Sequence, residues 1–136
     1  MTRQLDHLAI AVRSIEASLP LYRDVLGLEL HGHEEVAEQR VKVAVLRAGD
    51  TRIELLEPTS ADSPVAKFIE KRGEGLHHLA VRVDEVGAEL NRLASQQIPL
   101  IDKQPRQGAE GARIAFLHPK GTGGVLIELV ERPAET

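Results

Sequence analysis

Between Leu5 and Val12 the side chains alternate, with Leu8, Ile10 and Val12 on one side and His7, Ala9 and Ala11 on the other. A period of two is the mark of a β-strand. Ser14 predicts the N-cap of a helix that runs to about Leu26 and is closed by Gly27, with Pro20 kinking or restarting it on the way. Strands are expected at about 28–36, 41–46 and 51–57, the last two joined by a turn at Gly49-Asp50. Ser63-Pro64 opens a short helix to about Arg72, serine as N-cap and proline at the first helical position. From Gly75 the order begins again. A strand is predicted at Leu76 to Val83, a helix capped by Asp84 runs to about Gln97, and strands follow near 99–102, 112–118 and 125–131.

The second half repeats the first at the level of residues. His7-Leu8-Ala9-Ile10-Ala11-Val12 matches His78-Leu79-Ala80-Val81-Arg82-Val83, and Ile53-Glu54-Leu55-Leu56-Glu57 matches Ile127-Glu128-Leu129-Val130-Glu131 at nearly the same offset. Internal repeats change the fold reading. Here they predict an α+β chain of two βαβββ modules, about 1–58 and 75–136, joined by 59–74 within a single domain spanning 1–136.

The repeat also selects chemistry. Each half carries a histidine early in its first strand and a glutamate in its last. Glu128 lies within Val125-Leu126-Ile127-Glu128-Leu129-Val130, where a carboxylate is costly to bury unless it is paired or bound to a cation. Glu54 sits in a slightly more polar version of the same strand. Both histidines share a strand face with alanines, Ala9 and Ala80, which leave room above the sheet. One such glutamate alone would usually face solvent, and one such histidine would usually be a satisfied core or edge residue. The duplicated set is different, because symmetric halves bring equivalent positions together. Two imidazoles and two carboxylates suit divalent Zn, Co, Ni, Mn or Fe.

Composition narrows the alternatives. The chain has 136 residues, long enough for one domain whose core needs no disulfide. It has no cysteine, which removes thiolate ligands and cysteine nucleophiles and suits a reducing cytoplasm. A net charge of -4 with interspersed signs lacks the basic stripe of a nucleic-acid partner. Tyr22, Phe68 and Phe116 are the whole aromatic inventory, too few for base stacking. No apolar run approaches a bilayer span or a secretory signal core, so the expectation is a soluble, cytoplasmic protein with neither membrane nor nucleic acid as partner. Other features carry less chemistry. His77 falls on the face opposite His78 and is expected to be packed, while His31 and His33 flank Gly32 at an edge and are expected to be solvated. The Gly121 to Gly124 turn has no phosphate-loop spacing, and Lys120 beside it reads as a surface lysine.

Several stretches together resemble the vicinal oxygen chelate superfamily and, within it, the methylmalonyl-CoA epimerase family. They are Asp6-His7-Leu8-Ala9-Ile10-Ala11-Val12, Glu54-Leu55-Leu56-Glu57-Pro58, Asp62-Ser63-Pro64-Val65-Ala66-Lys67-Phe68, Gly73-Glu74-Gly75-Leu76-His77-His78, and Phe116-Leu117-His118-Pro119-Lys120 with Gly124-Val125-Leu126-Ile127-Glu128-Leu129. The resemblance implies a curved mixed sheet around one central divalent ion, often cobalt, with Mn, Ni and Zn as alternatives, and a homodimer. It implies His7, Glu54, His78 and Glu128 as ligands, the four that the repeat selects. It implies an acyl-CoA thioester substrate whose C2 proton is removed and returned on the other face; that inversion needs two acid/base groups, and Glu128 with its pseudo-symmetric partner Glu54 is the pair expected here. Some members carry a glutamate where this chain has Val43 and a glutamine where it has Glu54; here Val41, Val43 and Val45 read as one apolar face. A glyoxalase-type lactoylglutathione lyase would share the ligand set, but His118-Pro119-Lys120-Gly121 differs from the Asp-Pro-Asp-Gly usual there. A ring-cleaving dioxygenase would need one carboxylate fewer, and a metal-free binding protein of the same fold would need none of the four.

Overall fold

The computed structural model describes residues 3–134. They form two compact units, residues 7–77, and residues 78–134 together with residues 3–6. The division falls inside two strands, β1 (Gln4–Ala11) and β5 (Gly75–Arg82).

In residues 7–77, β1 is followed by α1 (Ile15–Leu19), β2 (Glu29–Val36), β3 (Val41–Ala48), β4 (Thr51–Pro58) and α2 (Pro64–Arg72). The strands lie in the order β2, β3, β4, β1, with β1 parallel to β4 and the other pairs antiparallel. A parallel pair needs a crossover, and α1 begins it. Ser14 caps α1 as expected, accepting from Ala17 N–H at 3.1 Å. The helix does not continue regularly to Leu26. Pro20 has no N–H to donate, and the chain from Pro20 to Val25 widens into a π-helical turn in which Leu26 N–H reaches Leu21 O. Gly27, at φ +75°, then ends it as predicted. The Gly49-Asp50 turn and the Ser63-Pro64 helix start are also found where the pattern puts them.

Packing explains which face is which. Ile10, Ala44, Leu46, Ile53 and Leu55 point to the side on which Ile15 and Leu19 of α1 lie. Leu46 and Leu55 are wholly buried there, each contributing roughly 1.5–3 kcal/mol. The opposite face carries His7, Ala9, Ala11, Glu54 and the valines 41, 43 and 45, all buried. The apolar stripe at 41–45 is therefore as continuous as its sequence suggests.

The second unit repeats the plan with β5, α3 (Val86–Ser95), β6 (Arg106–Gln107), β7 (Arg113–Leu117) and β8 (Ile127–Glu131), in the order β5, β8, β7, β6. Leu90 and Val86 of α3 pack on Ala115, Leu117 and Leu129. Three local expectations are corrected. Residues 99–102 form no strand: Pro99 lacks an N–H, Leu100 makes only an isolated bridge to Leu117, and the carboxylate of Asp102 accepts Phe116 N–H at 2.8 Å where a backbone carbonyl would otherwise serve. The edge strand lies further on, at β6. Asp84 does not cap α3; Glu85 occupies that position without a side-chain bond, and the helix stops at Ser95 rather than Gln97. The last strand opens at Ile127 and not at Val125, because Thr122 Oγ1 donates to Val125 O in the preceding loop.

Beside Leu90 on α3, Glu89 is buried and paired with Arg92 and, at 2.8 Å, with Arg3. The Arg92 hydrogen bond, opposed by burial and aided by Arg3, holds its carboxyl below the usual range. A group whose folded pKa is depressed stabilises the fold above its unfolded pKa of about 4.3 and loses that contribution as pH falls. Glu89→Gln should accordingly lower the melting temperature at pH 7, and the gap to the unaltered protein should close as pH is taken down toward 3. A gap that persists unchanged at low pH would show that the carboxylate's charge is not what stabilises α3.

Candidate metal centre

Strand register builds the same arrangement twice. In residues 7–77, Ala9 lies opposite Glu54 in the parallel pair β1 and β4, so His7 and Glu54 share a face diagonally across the alanine. The His7 Nδ1 and Glu54 Oε2 atoms stand 3.4 Å apart, both side chains almost fully buried. Val45 of β3 faces Glu54 from the other side. In the second unit, Ala80 lies opposite Glu128, and His78 Nε2 is again 3.4 Å from the carboxylate, at Oε1. Here Phe116 takes the place of Val45 beside the glutamate and meets the His78 ring edge-on at 5.2 Å.

Burying carboxylates among valines, leucines and a phenylalanine needs strong compensation. The donor set fits a divalent ion: nitrogen and oxygen atoms only, no thiolate, at a spacing within each pair near the roughly 3 to 3.4 Å expected for neighbouring ligands each about 2.1 Å from one ion. At 3.4 Å these are long for a direct hydrogen bond. His77 does point away from His78; its ring lies 4.9 Å from Phe68 of α2 in an edge-on contact. His31 and His33 are exposed on β2.

Two supporting features escaped the sequence reading. Glu57 and Glu131, each three positions beyond a pair's glutamate, point to the opposite face and cap the helices: Glu57 accepts Ile15 N–H at 2.8 Å, and Glu131 accepts Val86 N–H at 2.9 Å. A carboxylate at a helix N-terminus meets an orphan donor and the positive end of the dipole. The partners are 42 and 45 residues apart, beyond any local capping rule, and the only available signal was that the second glutamate of each strand is duplicated too. Asp6, the residue before His7, is completely buried and receives Arg82 Nε at 3.0 Å and Arg132 Nε at 3.0 Å. Removing that carboxylate would take a shared partner from two guanidinium groups, that of Arg132 largely buried and that of Arg82 about a third exposed.

The model of the glyoxalase/bleomycin resistance protein/dioxygenase superfamily matches residues 6–116. An uncharacterised Bacillus subtilis protein, YqjC, is 49% identical over 94% of this chain and 91% of its own length. An ethylmalonyl-CoA/methylmalonyl-CoA epimerase of Cereibacter sphaeroides is 37% identical over 95% of this chain and 98% of its own. Among solved structures, a methylmalonyl-CoA epimerase in complex with methylmalonyl-CoA and NH4+ superposes with a TM-score of 0.93 at 37% identity, covering 98% of this chain and 97% of that one. The α+β fold of paired βαβββ modules is thus one that this chain shares with them.

Proposed function

This chain belongs to the methylmalonyl-CoA epimerase family of the glyoxalase/bleomycin resistance protein/dioxygenase superfamily, and we propose that it interconverts the two C2 epimers of methylmalonyl-CoA. The observation that carries this reading is the duplicated pair of buried imidazole and carboxylate, set at the same register in both units. His7, Glu54, His78 and Glu128 would hold one divalent ion, cobalt foremost, with manganese, nickel and zinc also suited to nitrogen and oxygen donors. When bound, that ion supplies Lewis-acid stabilisation, on the order of several kcal/mol, for the negative charge that develops as C2 loses its proton.

The rest falls to the side chains. The C2 hydrogen is flanked by a thioester carbonyl and a carboxylate, which makes it acidic enough for a glutamate to remove. Inversion requires return of a proton to the opposite face, so two groups must serve. A carboxylate oxygen of Glu128 takes the proton from one face and one of Glu54 delivers to the other. The buried alanines 9 and 80 keep the floor between each pair low, and the surrounding valines and Phe116 exclude water, which strengthens each charge interaction.

Proton exchange at C2 of methylmalonyl-CoA in deuterated water, with and without chelator, tests the reading. Exchange with epimerisation is expected from the metal-loaded protein and should disappear with chelator. Metal-loaded protein that leaves C2 untouched overturns it.

A further inference from the structure

We propose that Arg106 binds an oxyanion of the acyl-CoA substrate, and so fixes the thioester against the His78–Glu128 pair; this rests on the epimerase reading. Residues directly opposite one another in adjacent strands share a face. Arg106 lies opposite Ile114, and Ile114 opposite Val130, which puts the arginine on the face that carries Phe116 and Glu128. Its guanidinium lies over the Phe116 ring, 5.4 Å from the centroid, and the same ring meets His78 edge-on. One aromatic ring thus separates the cation from the imidazole.

The arginine is held but not consumed. Asp102 meets it at Nε, 3.1 Å away, while also accepting Phe116 N–H, so one carboxylate fixes both the ring and the cation above it. A guanidinium has five N–H donors, and one such contact leaves capacity for bidentate recognition of a carboxylate or phosphate. The Arg106 side chain is 40% exposed against 16% for Asp102, so it is open to a ligand although tethered from behind. Stacking and tethering reduce the rotamer freedom lost on binding. Arg82, which lies in the same cross-strand row, is held by buried Asp6, as is Arg132. An acyl-CoA of this class brings two kinds of oxyanion, the carboxylate beside C2 and the phosphates of the carrier.

Arg106→Leu, Arg106→Lys and the unaltered protein would be compared on methylmalonyl-CoA, on methylmalonyl-pantetheine, which lacks the phosphates, and with free CoA as competitor. Arg106→Leu should raise KM for methylmalonyl-CoA roughly 10- to 100-fold with kcat changed by only a few-fold, and Arg106→Lys should recover part of the loss. A rise for both thioesters, with CoA competition intact, assigns the carboxylate. A rise confined to the CoA thioester, with weaker CoA competition, assigns the phosphates. Unchanged KM for both overturns the proposal, and so does a fall in kcat and melting temperature alone, which would make Arg106 a support for Phe116. Calorimetric titration with methylmalonyl-CoA separates this failure from that of the epimerase reading: protein that exchanges no C2 proton overturns the latter, and equal Kd for unaltered and Arg106→Leu protein overturns the former.

Discussion

Glu128→Gln should retain metal and lose C2 proton exchange from the epimer that Glu128 serves by at least about 100-fold, the lower end of what a general base contributes. The amide keeps an oxygen donor and almost the same shape, so Phe116 on one side and Ala80 on the other should remain in place. What it loses is basicity. Deuterium incorporation at C2, followed by mass spectrometry beside a metal determination, separates the two properties. Glu54→Gln should be the mirror image, because each carboxylate serves one face. One epimer would still swap its proton while the other formed slowly, which reads as exchange without epimerisation. Near-normal epimerisation by Glu128→Gln would remove this residue from the proton path.

The second large effect concerns the metal itself. His78→Ala should weaken binding of a divalent ion by more than about 100-fold, since loss of an outer partner of a metal ligand already costs 10- to 100-fold. Cobalt titration followed by absorbance, and elemental analysis after dialysis, would measure it against about one ion per chain for the unaltered protein. His77→Gln is the matched control. It alters the neighbouring imidazole, whose ring meets Phe68 on the other side of the strand, and it should leave metal binding intact. Retention of metal by His78→Ala, or its loss in His77→Gln alone, would show that the ligand assignment is wrong.

Much of this was legible in the linear chain because two signals were duplicated. Alternation in Leu5 to Val12 and again in Leu76 to Val83 fixed which side His7 and His78 would face, and a buried carboxylate in an apolar strand is conspicuous wherever it occurs. Regular caps such as Ser14 and Ser63 were legible because they act within three residues of themselves. What was missed acts at a distance. Glu131 replaces the local cap expected from Asp84, and Asp102 substitutes for a backbone partner so that 99–102 is a loop where a strand was expected. Pro20 was rightly read as an interruption, but neither propensity nor period announces that the chain would widen into a π turn instead of breaking.

The spacing of Glu128 and Glu131, like that of Glu54 and Glu57, is odd in number, and this parity has a consequence for how the strands settle. One carboxylate must always look toward the imidazole while the other looks toward a helix. Were β8 to slide by a single position, every side chain would change sides, and both acids would be misplaced together. Glu131 would abandon the amide of Val86 as Glu128 entered the greasy layer beneath α3. An ordinary amphipathic strand, by contrast, is penalised for the same slip only through exposed leucines. The two acids thus act as a proofreading device, each making the other's wrong placement doubly expensive, and the chain carries one copy in each half.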